Sequence, residues 1–393
     1  MSEWTPGTCV IAGIGDTPFY RDSGMSELAL ARTAISGAIA DAGMRPDDVD
    51  GFITYTLDTA AWPGFLAMNL GIREISYWGE ASEGGNAMGA VVAQAVAVIR
   101  AGLARTIVCY RSLNGRSGRR LGQAWTTDRE VGGGRGLEEF AMPFGLVAPT
   151  QSYAMLAQRY MYEFGLTSEQ LGWIAVVCRK RANQNANAAM YGRPMTIGDH
   201  QHSRTISSPL RLLDCCLETD NAAAIVVTSR ERALSHDSRP VAILGAAMAS
   251  SKDSHGPVFY SPFEEGLTST AADALAPRLY AQAGVTAADI DVGQIYDSFT
   301  IAVLAQLEAY GFCAKGEGGP FVEGGVNIDL GGRIPINTFG GQLSAGYVNG
   351  FSGLVEATRQ LRGDAAAQVV GAQTCLVTGG MLTTTSGVIL GKL

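Results

Sequence analysis

Two short stretches of this chain carry residues that can move protons. Tyr296-Asp297-Ser298-Phe299 and, about fifty residues on, Gly340-Gly341-Gln342-Leu343-Ser344-Ala345-Gly346-Tyr347-Val348-Asn349-Gly350 each set one tyrosine beside sharp backbone turns. Tyr296 and Tyr347 are therefore expected to face each other across one pocket. An acyl-enzyme mechanism needs a low-pKa thiolate beside a base such as histidine. The four histidines, His200, His202, His236 and His255, lie in or beside loop-like segments, and none occupies a glycine-rich turn at a predicted strand or helix end. A pair of phenols suits an aldol or retro-aldol step instead. One takes the proton of a β-hydroxyl, the carbon–carbon bond breaks to a ketone and an enolate, and the other protonates the enolate carbon. Tyrosine titrates at about pH 10, so the base needs a lowered pKa or transfer through water. Backbone N–H groups at Gly379 and Gly380 are candidates for the enolate oxygen. Asp297 is a supporting candidate, which on a strand would face away from Tyr296.

Composition narrows the class. A chain of 393 residues, 47% of them apolar, exceeds one ordinary core, so two fused halves or one large layered unit is expected. Its 50 glycines form no tract and read as turns and close backbone approaches. With 29 basic against 37 acidic residues, a net charge of -8, there is no cationic surplus for general nucleic-acid binding. The 7 cysteines are scattered, mostly in apolar runs, as befits reduced thiols, and adjacent Cys215-Cys216 lack the spacing of a zinc site. No apolar run reaches the ~18 residues of a membrane span and no signal-like N-terminus is present, so a cytoplasmic protein without membrane contact is expected.

The elements that position the tyrosines alternate. Cys9 to Gly15 reads as a strand, Glu27 to Ala40 as a helix stopping near Gly43, Val49 to Tyr55 as a strand, Gly85 to Gly102 as a helix and Thr106 to Tyr110 as a strand, an α/β order. The second half repeats the first. Ala42-Gly43, Asp48-Val49-Asp50 and Tyr55 recur as Ala283-Gly284, Asp289-Ile290-Asp291 and Tyr296 at a constant spacing of 241 residues (42 to 283, 55 to 296). Gly85 to Gly102 recurs as Gly346 to Gly363, and Arg105 to Cys109 as Gln373 to Val377. The chain is thus expected to hold two duplicated α/β halves, 1–240 and 241–393, the first interrupted by an inserted loop subdomain at about 111–204.

Taken together these features resemble the thiolase superfamily. The resemblance rests on the fused halves with their inserted loop, Glu218-Thr219-Asp220-Asn221-Ala222-Ala223-Ala224 closing the first half, the Asn-x-x-Gly-Gly run from Asn337 to Gly341, and Thr378-Gly379-Gly380-Met381. Within the superfamily the chain is most similar to the lipid-transfer, sterol-carrier branch, and there to aldolases that cleave steroid side chains as CoA thioesters. The resemblance covers essentially the whole chain and implies a thiolase-like fold with layered αβαβα architecture. It also locates what is missing. The nucleophilic cysteine of a thiolase falls at Ser82 in Glu80-Ala81-Ser82-Glu83-Gly84-Gly85, its histidine on Tyr347, its asparagine on Tyr296, and its C-terminal cysteine near Leu376. Cys375 is one residue away, and one residue along a strand turns a side chain to the other face.

Other candidates follow from this alignment of positions. Ser82 is a nucleophile without a histidine partner, or an ordinary pocket serine; Glu83 is a general base, or a solvated carboxylate at a helix start. Tyr55, the repeat-mate of Tyr296, is a lining or structural residue. Met142-Pro143-Phe144-Gly145 and Tyr153 line an apolar sterol site or simply pack. Arg116, Arg119 and Arg120 meet CoA phosphates or are surface charge. The implied activity is retro-aldol cleavage of a 17-hydroxy steroid with a three-carbon acyl-CoA side chain to a 17-ketone and propanoyl-CoA. No metal or redox cofactor is implied, CoA being part of the substrate. The alternative is a non-catalytic lipid or acyl-CoA carrier, or an acyltransferase of thiolase type. Implied partners are a second copy of the chain and a small OB-fold, zinc-ribbon companion.

Overall fold

The computed structural model describes residues 4–56, 61–118, 120, 142–251 and 268–393. Strands β1 (Cys9–Asp16), β2 (Gly51–Tyr55), β3 (Tyr77–Ala81), β4 (Thr106–Asn114), β5 (Thr205–Ser207), β6 (Leu210–Arg211), β7 (Asp220–Ser229), β8 (Val241–Ser250), β9 (Val292–Gln294), β10 (Thr374–Thr378) and β11 (Thr384–Lys392) alternate with helices. The helices are α1 (Glu27–Asp41), α2 (Pro63–Leu70), α3 (Met88–Arg100), α4 (Pro149–Phe164), α5 (Ser168–Ala182), α6 (Ile197–His202), α7 (Arg230–Leu234), α8 (Ala271–Ala283), α9 (Thr300–Ala309), α10 (Gly318–Val322) and α11 (Ser352–Arg362).

Nine strands hydrogen-bond in the order β3-β2-β4-β7-β1-β8-β11-β10-β9. The halves meet where β1 and β8 pair over only Val10↔Ala242 and Ile11↔Val241. Because side chains alternate along a strand, each sheet half feeds two apolar layers. Cys9 and Ile11 of β1, with Val241 and Ile243 of β8, join an inner cluster that also holds α3 and α11. Val10 and Ala12 face α1 and α2 on the outside of the first half, and Leu244 and Ala247 face the outer layer of α8 and α9. The layers therefore run α, β, α, β, α. Helix α3 suits its central place, since Met88, Val91, Val92, Ala95 and Val96 bury it on more than one side.

The duplication is visible in bonding. β2 and β4 are parallel, as are β9 and β10. Asp50 accepts the N–H groups of Arg105 and Thr106 at the foot of β4 (2.9 and 2.8 Å). Asp291 does the same for Gln373 and Thr374 at the foot of β10 (2.8 and 3.0 Å). No described strand of the second half matches β3; an isolated parallel bridge, Gly293–Ile336, stands in its place.

Two features differ from the sequence reading. β4 continues through Arg111 to Asn114, because its ladder with β7 runs the full length from Thr106↔Thr228 to Asn114↔Asp220. The inserted helices α4 and α5 do not hang from the first half. Tyr160, Ile174 and Val177 pack with Leu275, Leu304 and Ile336 in the outer layer of the second.

Close packing of α1 on β1 needs bare backbone. A Cβ at Gly15 would collide with the Ala34 carbonyl oxygen, whereas a Cβ at Gly37 on the opposing helix lies in ordinary contact, 3.6 Å from the Gly15 Cα. Gly15→Ala should lower the unfolding free energy in urea by about 1–3 kcal/mol. Gly37→Ala should be neutral or raise it by up to about 1 kcal/mol, as Ala replaces Gly inside a helix.

Candidate active site

Tyr296 follows the short strand β9, and three side chains fix its backbone. Its N–H donates to the Thr378 hydroxyl (2.8 Å), its carbonyl accepts from Gln306 Nε2 (2.8 Å), and the Ile295 N–H donates to Asn337 Oδ1 (2.8 Å). Tyr347 lies in the glycine-rich loop before α11, its N–H donating to the Thr219 hydroxyl at 2.8 Å. Asp297 joins the two segments. Its carboxylate accepts the N–H of Gln342 (2.8 Å) and of Leu343 (3.1 Å). A side chain at Gly341, held at φ 63°, would run into that carboxylate. As a result the hydroxyls of Tyr296 and Tyr347 stand 3.2 Å apart, in hydrogen-bond contact, and both rings are 7% exposed. Burial, followed by the neighbouring Tyr347, pushes the Tyr296 phenol well above its ordinary value.

The walls around the pair are glycine. Any Cβ at Gly85, just before α3, would strike the Tyr296 ring and hydroxyl, and Gly350, at φ 84°, would carry one 2.9 Å from that ring. Ser82 is exposed and Glu83 half-buried at the outer end of the Gly85 loop, where Glu83 adopts a left-handed φ of 85°. Behind Tyr347 the contacts continue inward. Asn349 Nδ2 donates to the Tyr347 hydroxyl (2.9 Å), and Arg111 Nε donates to Asn349 Oδ1 (3.2 Å). Tyr55 donates to the Asn349 carbonyl (2.7 Å) and lies beneath the Arg111 guanidinium, 5.8 Å from its ring centre.

Several expected roles change in this setting. The N–H of Gly379 donates to the Ser386 carbonyl (2.7 Å) and that of Gly380 to the Gly85 carbonyl (3.2 Å). Both donors are thus committed, Gly379 to β11 and Gly380 to the Gly85 loop, and they are not free for an enolate oxygen. Tyr55, fully enclosed with its phenol raised well above the ordinary value by burial, holds loop backbone. Cys375 shares the inner apolar layer with the tyrosines, not the opposite face as its displacement suggested; Leu376 is the residue turned outward. Complete burial raises the Cys375 thiol well above its usual value.

Arg116 and Arg120 both reach Glu218 (3.9 and 2.5 Å), the neighbour of Thr219, so a half-buried basic cluster lies one residue from the anchor of Tyr347. Arg119 lies outside the described residues. Tyr153 packs on Phe299, ring centres 4.5 Å apart, while Phe144 is exposed. Among the described residues no group of three or more His, Cys, Asp or Glu side chains could hold a metal ion. Sequence reasoning missed Arg111 and Asn349 as site residues. The available signals were a charge directly continuing an apolar strand, and an Asn-Gly pair in a turn.

Residues 262–392 match a family model described as Thiolase C-terminal domain-like. The 17-hydroxy-3-oxo-4-pregnene-20-carboxyl-CoA lyase of Mycobacterium tuberculosis is 45% identical over 98% of this chain and 99% of its own. The steroid side-chain-cleaving aldolase of Thermomonospora curvata is 46% identical over 98% of both. A solved Ltp2-ChsH2(DUF35) aldolase superposes with a TM-score of 0.92 at 43% identity, covering 99% of each chain. Similarity of this extent, on a fold with this layering, makes the chain a member of the thiolase superfamily, in the branch of the steroid side-chain-cleaving aldolases.

Proposed function

We propose that the chain is a retro-aldolase in which Tyr296 and Tyr347 divide the proton work of breaking one carbon–carbon bond. The observation that carries the tyrosine roles is the 3.2 Å contact of two buried phenols between glycine walls. The substrate is a steroid β-hydroxyacyl-CoA with a 17-hydroxyl and a three-carbon acyl chain. Removing the hydroxyl proton turns C17 into a ketone as the bond to the α-carbon breaks. The electron pair is received as a thioester enolate, which a proton converts to propanoyl-CoA. Water is largely excluded from the pair by burial, so proton transfer follows the fixed hydroxyls. Acyl transfer through Cys375 is disfavoured by its enclosure and raised pKa.

The basic cluster of Arg116 and Arg120 is proposed to meet the CoA phosphates at the outer side of Thr219, drawing on charge shared with Glu218. Two assembly partners are proposed with it. Strand β3 ends the sheet with Trp78 65% exposed, and an open strand edge is where a second copy can pair. A DUF35-type companion, of OB-fold and zinc-ribbon kind, is proposed from the likeness to the two-component aldolase. No described helix is long and apolar enough to cross a membrane, and the cytoplasm is the proposed site of action.

Incubation of the chain and its companion with the 17-hydroxy thioester should release 17-ketosteroid and propanoyl-CoA in equal amounts. Tyr296→Phe and Tyr347→Phe should each lower kcat by about 100-fold or more with KM nearly unchanged. Full rates in both variants would remove the tyrosines from the mechanism. No product from wild type with companion present would favour the carrier reading.

Asp297 in this scheme clasps the loop and carries no reacting proton. Burial lifts its pKa from the ordinary 3.8 to about 6, so the fold favours the protonated acid. The associated stability is fully present below pH 3.8 and is lost as pH rises to about 6. At 1.36 kcal/mol per pH unit the loss is about 3 kcal/mol. Urea titrations from pH 4 to pH 7 should show that decline in wild type and its absence in Asp297→Asn; an unchanged slope in the variant would assign the effect elsewhere.

A further inference from the structure

Arg111 is a fully buried guanidinium on an otherwise uncharged strand. Its contact with the tyrosine pair has a direction. A guanidinium donates hydrogen bonds and accepts none, so the atom of Asn349 that faces Arg111 Nε at 3.2 Å is the amide oxygen. The amide nitrogen is then the atom that faces the Tyr347 hydroxyl, at 2.9 Å. That nitrogen is donor-only, so Tyr347 receives a hydrogen bond from Asn349 and cannot give one back. The Tyr347 proton is left to point elsewhere, and the Tyr296 oxygen stands 3.2 Å away. Tyr296, receiving there, keeps its own proton to give.

The backbone that carries this amide is fixed as well. Asn349 sits at φ 53°, in the left-handed region that asparagine tolerates better than most side chains, and Tyr55 grips its carbonyl at 2.7 Å.

Resting on the retro-aldol reading, we infer that Arg111 and Asn349 are positioning residues that orient a one-way proton relay, with Tyr347 accepting the proton of the substrate hydroxyl and Tyr296 delivering a proton to the α-carbon. The hydroxyl proton passes to the Tyr347 oxygen. The Tyr347 proton passes to the Tyr296 oxygen, and the Tyr296 proton passes to carbon. The oxygen–hydrogen electron pair becomes the second bond of the C17 carbonyl, and the pair of the broken carbon–carbon bond becomes the new carbon–hydrogen bond. Both phenols end neutral, so neither has to exist as a free phenolate in a site whose burial opposes one.

The test compares wild type, Asn349→Asp and Arg111→Lys, each with the companion, on the 17-hydroxy thioester. A carboxylate at position 349 still pairs with Arg111, but it accepts from Tyr347 and so draws the proton away from Tyr296. Asn349→Asp should lose about 100-fold in kcat with little change in KM and a melting temperature at or above that of wild type. Arg111→Lys, which keeps a buried donor, should recover more than a tenth of the wild-type rate. In mixed light and heavy water the wild-type rate should depend on deuterium fraction along a curve, as several protons in flight require, and that of Asn349→Asp along a straight line. Asn349→Asp within about threefold of wild type would overturn the relay while leaving the retro-aldol reading intact. Loss of kcat together with a collapsed melting temperature in both variants would reduce the two residues to a structural role. If the Phe variants of both tyrosines retain full rate, the underlying reading is what fails.

Discussion

The meeting of the two phenols stands on one buried carboxylate. Asp297 follows Tyr296 directly in the chain, and its oxygens hold the N–H groups of Gln342 and Leu343, a few residues before Tyr347. With the bond from the Ile295 N–H to Asn337, it ties a strand end to a distant loop. The clasp works only because Gly341 leaves room for it. It also opposes itself in part, since burial disfavours the charged form while the two N–H bonds favour it. Cys178 of α5 lies against the same carboxylate, its sulfur 3.9 Å from Oδ2.

What could be read from residue order was what depends on near neighbours. Gly43 and Gly284 end their helices in the left-handed conformation, and Asp50 and Asp291 follow at fixed steps, so the repeat showed itself in local chemistry. Tyr296 and Tyr347 stood out for the turns beside them. The Arg111–Asn349 contact did not, because it joins residues 238 positions apart. Gly380 failed as a free donor for the same reason, its partner Gly85 being far away in the chain, while Gly379 is taken by Ser386 across the turn from β10 to β11. The attachment of the inserted helices was not legible either, since an apolar stripe does not name the surface it will cover.

The duplicated halves have divided their labour. Tyr55 and Tyr296 occupy equivalent strand ends, and each reaches into the other half's loop. Tyr55 uses its hydroxyl on the carbonyls of Val348 and Asn349. Tyr296 lies on Gly85 and meets a second phenol. One copy of the position thus holds loop backbone, and the other meets a second phenol at 3.2 Å.

The inserted helices cross from one half to the other, and this bears on how the chain is made. Synthesis completes α4 and α5 before any of α8, α9 or the Asp297 segment exists. The apolar face of Leu156, Tyr160, Ile174 and Val177, buried in the finished protein against those later elements, has no partner until the second half emerges. A polypeptide ended near residue 240 would keep that face uncovered, the condition under which partly made chains associate. The two halves look like separable modules along the sequence, yet during synthesis the first must wait for the second.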